Sequence, residues 1–158
     1  MTKLTKAQRA RLEKLAAYLE GLPKSYRHFN MAIFYRGDEE ARYARHNGGL
    51  TSCGTAACAA GHGPAAGILV PPRFVSSSIF FGPVDWAGYC SLFVGENSAR
   101  GGWCFDGDWD MVDNSHWGAA ARIRYLLDKG APPEDYGVPR RAQVALYAPY
   151  RIDAKVPA

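Results

Sequence analysis

From Cys53 to Gly61 no side chain is larger than threonine: the run reads Cys53-Gly54-Thr55-Ala56-Ala57-Cys58-Ala59-Ala60-Gly61 and ends on His62. Methyl-sized side chains bury little surface on their own. A run of them makes sense where neighbouring backbones or rings approach closely. Thr51, Ser52 and Thr55 offer hydroxyls to the free amides of a helix start. The expectation is a central, largely buried helix over residues 54–67, opened by Cys53-Gly54-Thr55. Gly63-Pro64 should kink or end it, because proline lacks an amide donor and clashes one turn back.

Rings are the natural neighbours for such a run, and the chain has four Trp, nine Tyr and seven Phe. With 47% apolar residues, intrinsic disorder is excluded. A length of 158 residues fits one compact domain, 1–158, with an N-terminal amphipathic helix within 1–24 and a proline-rich tail over 131–158. No stretch of eighteen apolar residues is present, so no membrane partner is expected. The first residues are charged and helix-patterned rather than signal-like, which points to the cytoplasm of a bacterial host. There the four cysteines (Cys53, Cys58, Cys90, Cys104) are expected as free thiols or ligands rather than disulfides.

Along the chain, Thr5 followed by Gln8 reads as a capping box. Leu12, Leu15, Ala16 and Leu19 then recur at helical spacing, predicting a helix over 6–20. Alternation around Phe29, Met31 and Ile33 predicts a short strand, and Phe74 to Phe81 a second. Residues 36–50 read as an exposed loop, and 95–113 form a Gly- and Asp-rich segment. Asp85 caps a predicted helix over 85–94, and Asn114 or Ser115 caps one over 115–129 with Ala119, Ile123, Leu126 and Leu127 on one face. One further strand is expected between Arg140 and Ile152. The fold class expected is therefore α+β, with about four helices and a few short strands.

The segment Cys53-Gly54-Thr55-Ala56-Ala57-Cys58-Ala59-Ala60-Gly61-His62 resembles the Cys-Gly-Thr-x-x-Cys-x-Ala-Gly-Trp signature of small uncharacterised proteins from bacteriophages and proteobacteria. Leu92-Phe93, Trp109, Ala121-Arg122-Ile123 and Leu126-Leu127 follow in the order seen in that family, so the resemblance spans roughly residues 29 to 130. His62 stands where the family has Trp. The resemblance implies a phage-like or mobile origin and a shared fold, and it implies no chemistry.

Several groups are candidates for chemistry. Cys53 at a helix start would have its thiolate stabilised by free amides, as a nucleophile requires, with His62 or His116 as base. Cys58 and His62, four apart, share a helix face, so with Cys53 they form a candidate zinc set that Cys90 or Cys104 would complete. The bland alternative makes Cys58 a small buried hydrophobe and His62 a helix-end side chain. No cofactor is expected on balance. Arg100-Gly101-Gly102-Trp103-Cys104-Phe105 is similar to the nucleophile motif of arylamine N-acetyltransferases, over six residues only, and coincidence explains it better. Asp106, Asp108, Asp110 and Asp113 begin like a calcium loop, but Met111 and Trp117 stand where glycine and glutamate are required. A solvated acidic turn that contacts the basic first helix is the ordinary account.

Three functions follow as expectations. The first is a non-catalytic binding protein of phage or mobile-element origin acting on a host protein, another macromolecule or a small ligand, through Cys53, Thr55, His62, Trp103 and Trp109. The second is a small cysteine-dependent enzyme using Cys53. The third is a nucleic-acid-associated protein using Lys3, Lys6, Arg9, Arg11 and Lys14, where the net charge of +4 is concentrated.

Overall fold

The computed structural model describes residues 3–37, 39–46, 50, 56–75, 82–134 and 139–155. Within them the chain is helical: α1 (Lys6–Glu20), α2 (Glu40–Arg45), α3 (Trp86–Val94), α4 (Ser98–Phe105), α5 (His116–Lys129) and α6 (Val144–Tyr147), joined by short 3-10 turns. Among the described residues there is no strand, only the isolated bridges Phe29–Ala57, Arg36–Ala56 and Val75–Val84. The α+β expectation is therefore wrong, and the fold is built from helices.

Three predicted helices form where their signals lie. Thr5 accepts from the Gln8 amide at 3.2 Å while the Gln8 side chain accepts from the Thr5 amide at 2.9 Å, closing the capping box of α1. Asp85 caps α3 by accepting from the Gly88 amide at 2.8 Å. Ser115 caps α5 by accepting from the Gly118 amide at 2.9 Å, and Gly130, at φ 75°, ends that helix in the left-handed region.

The central helix is α5, and the described part of the helix predicted over 54–67 holds no α-helix. Gly118 through Ile123, with Leu126 and Leu127, are all buried. The α1 stripe of Leu12, Leu15, Ala16 and Leu19 packs against it. A fork of two hydrogen bonds from Arg124 to Glu20, at 2.9 and 2.8 Å, ties the pair at its edge. Trp103, Trp109, Tyr89, Phe93 and Tyr147 fill the rest of the core.

The small-residue run is buried as expected but is not an α-helix over its described part. Ala56 exchanges backbone bonds with Arg36, Ala57 donates to His28 and accepts from Asn30, and the Cys58 amide donates to Ile33. Ala60–His62 forms a single 3-10 turn, and further turns carry the coil on to Gly67, with the Ala66 amide donating to the His62 carbonyl at 2.9 Å. The reason is steric. Residues 28–36 lie directly on this backbone, and an α-helix would both remove those bonds and demand about 10 Å of width. The opening Cys53-Gly54-Thr55 lies outside the described residues.

The strand predicted at residues 29–33 reduces to the Phe29 bridge. Pro72–Phe74 is a 3-10 turn and only Val75 pairs, while 76–81 lies outside the described residues. The expected loop 36–50 holds α2, the Gly- and Asp-rich segment holds α4, and the tail strand is instead a succession of 3-10 turns around α6. Glycine and charge were poor guides in 95–113, where Asn97 caps α4 and buries Trp103, Cys104 and Phe105.

A methyl group added at Gly61 would overlap the Phe34 carbonyl oxygen and press on the Ala57 Cβ at 2.7 Å, so backbone must move. Gly61→Ala is expected to destabilise by about 1–3 kcal/mol. In a chain of this size that lowers Tm by about 2–4 °C per kcal/mol, measurable by thermal unfolding. An unchanged Tm would mean that residues 28–36 do not rest on this segment.

Candidate functional site

The two histidines expected to serve as bases collect around one phenol, Tyr26. His62, wholly buried, lies in the 3-10 turn after the small-residue run, and His116 opens α5. Both rings meet Tyr26 edge-on, at centroid distances of 5.6 and 6.2 Å, and His28 meets it at 5.3 Å. Phe29 lies against both His62 and His116, and Tyr18 against His62.

The bonds assign the tautomer. His62 Nδ1 faces the Cys58 carbonyl at 2.8 Å, so it carries the proton and donates. Nε2 is then the acceptor, and it takes the Tyr26 hydroxyl at 3.0 Å. Burial pushes the His62 pKa down to about 4, with nearby His116 and His28 acting in the same direction against the bond to Cys58. His116 donates from Nδ1 to the Leu19 carbonyl at 2.9 Å, and burial lowers its pKa too. Both imidazoles are thus neutral near pH 7.

Cysteine chemistry is suppressed in the same way. Cys58 is 1% exposed, its sulfur accepts from the Gly61 amide at 3.5 Å, and burial raises its pKa to about 11. Cys104 lies inside α4 with no exposure, and burial raises it to about 12 although Arg122 and Arg100 act against this. Cys90 is raised well above the usual thiol range, burial again leading. A thiol becomes nucleophilic by the opposite shift. Cys53 and Thr55 lie outside the described residues.

The zinc set does not assemble within the described part. Both His62 nitrogens are engaged, and no group of three or more His, Cys, Asp or Glu among the described residues is placed to hold a metal ion.

Trp103 and Trp109 are buried core rather than surface, 5.5 Å apart and edge-on. The Trp103 indole donates to the Arg122 carbonyl at 2.9 Å and that of Trp109 to the Gly102 carbonyl at 3.2 Å. Between Trp109 and Tyr147 sits Arg122, its guanidinium carbon 4.1 Å from the indole centroid and 5.5 Å from the phenol centroid. In the sequence Arg122 stands out only as part of the Ala121-Arg122-Ile123 motif, with no role of its own. Its signal was spacing, because Arg122 lies four residues after Gly118 and four before Leu126, on a buried face.

Three cations of the first helix have structural partners. Arg9 donates to the Leu127 carbonyl and Arg11 to the Leu92 carbonyl, both at 3.0 Å, in the last turns of α5 and α3. Lys14 donates to the Gly67 carbonyl at 3.3 Å. Positive groups at helix C-ends satisfy orphan carbonyls and complement the helix dipole. Lys3 and Arg100 line a cleft of about 290 Å3 between the starts of α1 and α4, opposite Glu96. The acidic turn meets a different element from α1: Asp113 accepts from Arg151 at 2.7 Å, from Tyr147 at 3.0 Å and from Ser115 at 2.6 Å.

No helix among the described residues is long and apolar enough to cross a membrane. Compared with protein-family models, characterised proteins and solved structures, the chain finds no match. The chemistry of the site rests on its own side chains.

The His62 pKa dictates an acid sensitivity. A histidine whose folded pKa lies below its unfolded value near 6.5 stabilises the fold above that value, and the contribution is lost as pH falls towards 4. Between pH 7 and 4.5 this one group should remove about 2–3 kcal/mol. Denaturant unfolding at both pH values should show a smaller loss in His62→Gln than in the parent chain. Equal losses would place the titration elsewhere.

Proposed function

We propose that this chain is a non-catalytic binding protein of phage or mobile-element origin, acting on a host macromolecule or a small ligand. The observation that carries the reading is the state of the reactive groups. Every described thiol is pushed towards its neutral form, and His62 and His116 hold backbone carbonyls inside the core. A cysteine enzyme needs a lowered thiol beside a base with a free nitrogen. His62 meets no such requirement, since its acceptor nitrogen already takes the Tyr26 hydroxyl. The phage or mobile origin rests on the motif from Cys53 to His62 and its spacing to Trp109 and α5.

The nucleic-acid reading draws less support. Binding to phosphates needs cations that face solvent as a stripe. Arg9, Arg11 and Lys14 hold carbonyls of neighbouring segments, which leaves Lys3 and Lys6 as the remainder of that set.

Capture from a bacterial host lysate followed by native mass spectrometry tests the proposal, with Cys53→Ser run in parallel. Parent and variant are expected to retain the same partner or ligand at the same stoichiometry, without a covalent adduct. In iodoacetamide labelling of the folded chain near neutral pH, Cys58 and Cys104 should stay unmodified until the protein unfolds. An adduct on a cysteine, or capture lost only in Cys53→Ser, would overturn the reading in favour of the enzyme.

A further inference from the structure

Residues 21–30 hold no helix and no buried side chain, yet they lie against two histidines that are buried, His62 with no exposure and His116 with 5%. Both ends of this stretch are fixed. Before it, Leu19 is wholly buried in the last turn of α1. After it, Met31 is buried and its amide donates to the Asn114 side chain at 2.8 Å. Between these anchors, the Tyr26 hydroxyl donates to His62 Nε2 at 3.0 Å. The His28 carbonyl accepts from the Ala57 amide at 2.9 Å, and the Asn30 amide donates to the Ala57 carbonyl at 3.0 Å. The rings of Tyr26 and Phe29 each touch both imidazoles and complete the cover. A stretch without buried side chains opens at lower free energy than the packed helices beneath it.

The closed arrangement suits only neutral imidazoles. A proton on His62 Nε2 would turn that nitrogen into a donor, and the Tyr26 hydroxyl would lose the acceptor it uses here. The groups facing His62 are Tyr18 of α1, Tyr26, His28 and Phe29 of the covering stretch, Cys58, and His116 of α5. None of them is a carboxylate, and both neighbouring imidazoles disfavour a charge on it. His116 faces the Leu19 and Pro23 carbonyls, with Asp153 favouring and Arg151 opposing its charge from the C-terminal segment. Those two are themselves joined by a fork at 2.9 and 2.6 Å. Lys24 and Arg27, on the covering stretch itself, are exposed. Burial lowers the pKa of both rings, that of His62 to about 4.

We infer that residues 21–30 form an acid-operated lid, latched to the core by the Tyr26–His62 bond and opened when His62 and His116 take up protons. Lifting this stretch hydrates both rings at once while α1, α4 and α5 stay packed, so it is the least costly way for the molecule to accommodate two imidazoliums. The sign follows from burial. An imidazole in the open state protonates near pH 6.5 and in the closed state only at lower pH, so acid favours the open form. The lid stands independently of what the chain binds.

Amide hydrogen exchange of the full chain, read by NMR from pH 7 to 4.5 and corrected for intrinsic rates, tests the lid. Asn30 and Ala57 report its opening, and Ile123 and Leu126 in α5 report global unfolding. At every pH Asn30 and Ala57 should be less protected than the α5 pair. Their protection should nevertheless fall by about tenfold per pH unit or more between pH 6 and 5, because the small opening already releases the histidines. In His62→Gln that fall should shrink to a few-fold per unit. Protection of Asn30 and Ala57 equal to that of α5 would show that no lid opens separately. Lower protection that does not change with pH would show that its opening leaves the histidines covered. Either result overturns the inference from the parent chain alone, and so does an unchanged pH slope in His62→Gln.

Discussion

Helix α5 can lie at the centre because Gly118, Ala119, Ala120 and Ala121 present nothing bulkier than a methyl group over four consecutive positions. This lets α1 pack along one side, α4 and its tryptophan along another, and the C-terminal segment along a third. The Asp113 carboxylate rests on Gly118 so closely that a Cβ there would collide with it. Replace these small residues with larger ones and the carboxylate, the tryptophans and Tyr147 all lose their seats. The remaining helices are positioned by what α5 allows.

The same principle explains how far the sequence could be read. Capping signals at Thr5, Asp85 and Ser115 were local, because a side-chain oxygen and the amides it accepts from are three residues apart, and those three helices are where the pattern puts them. The run from Ala56 to Gly61 was read correctly as buried and wrongly as helix. Small residues announce a close approach, but they do not say whether the approaching backbone is a neighbouring helix or an extended loop. Here it is residues 28–36, whose bonds to Ala56, Ala57 and Cys58 satisfy the backbone groups a helix would have satisfied internally. Nothing near residue 56 encodes that partner, which lies some twenty-five residues earlier in the chain.

Functional legibility failed for a related reason. Cys58, His62, Cys104 and His116 were singled out because such residues carry chemistry when exposed, and a sequence does not give exposure. Once buried, each is driven to its uncharged form, and each histidine becomes a hydrogen-bonding member of the core. His62 bonds backward to Cys58 and across to Tyr26, so it fastens the small-residue segment to the loop after α1.

Arg122 and His62 are both buried, nitrogen-rich and surrounded by rings, yet they respond to burial in opposite ways. Histidine meets the cost of desolvation by giving up its proton, and its two nitrogens then find a carbonyl and a hydroxyl. Arginine has no such exit, so its charge persists and only an acceptor can relieve it. The rings that complete His62 therefore cannot by themselves complete Arg122, which also draws on the Tyr147 hydroxyl and on Asp113. A chain that needed only a filled volume between Trp109 and Tyr147 would do better with methionine or leucine there. The Trp109 ring faces the guanidinium, the Tyr147 hydroxyl lies beside it, and Asp113 compensates its charge from a greater distance.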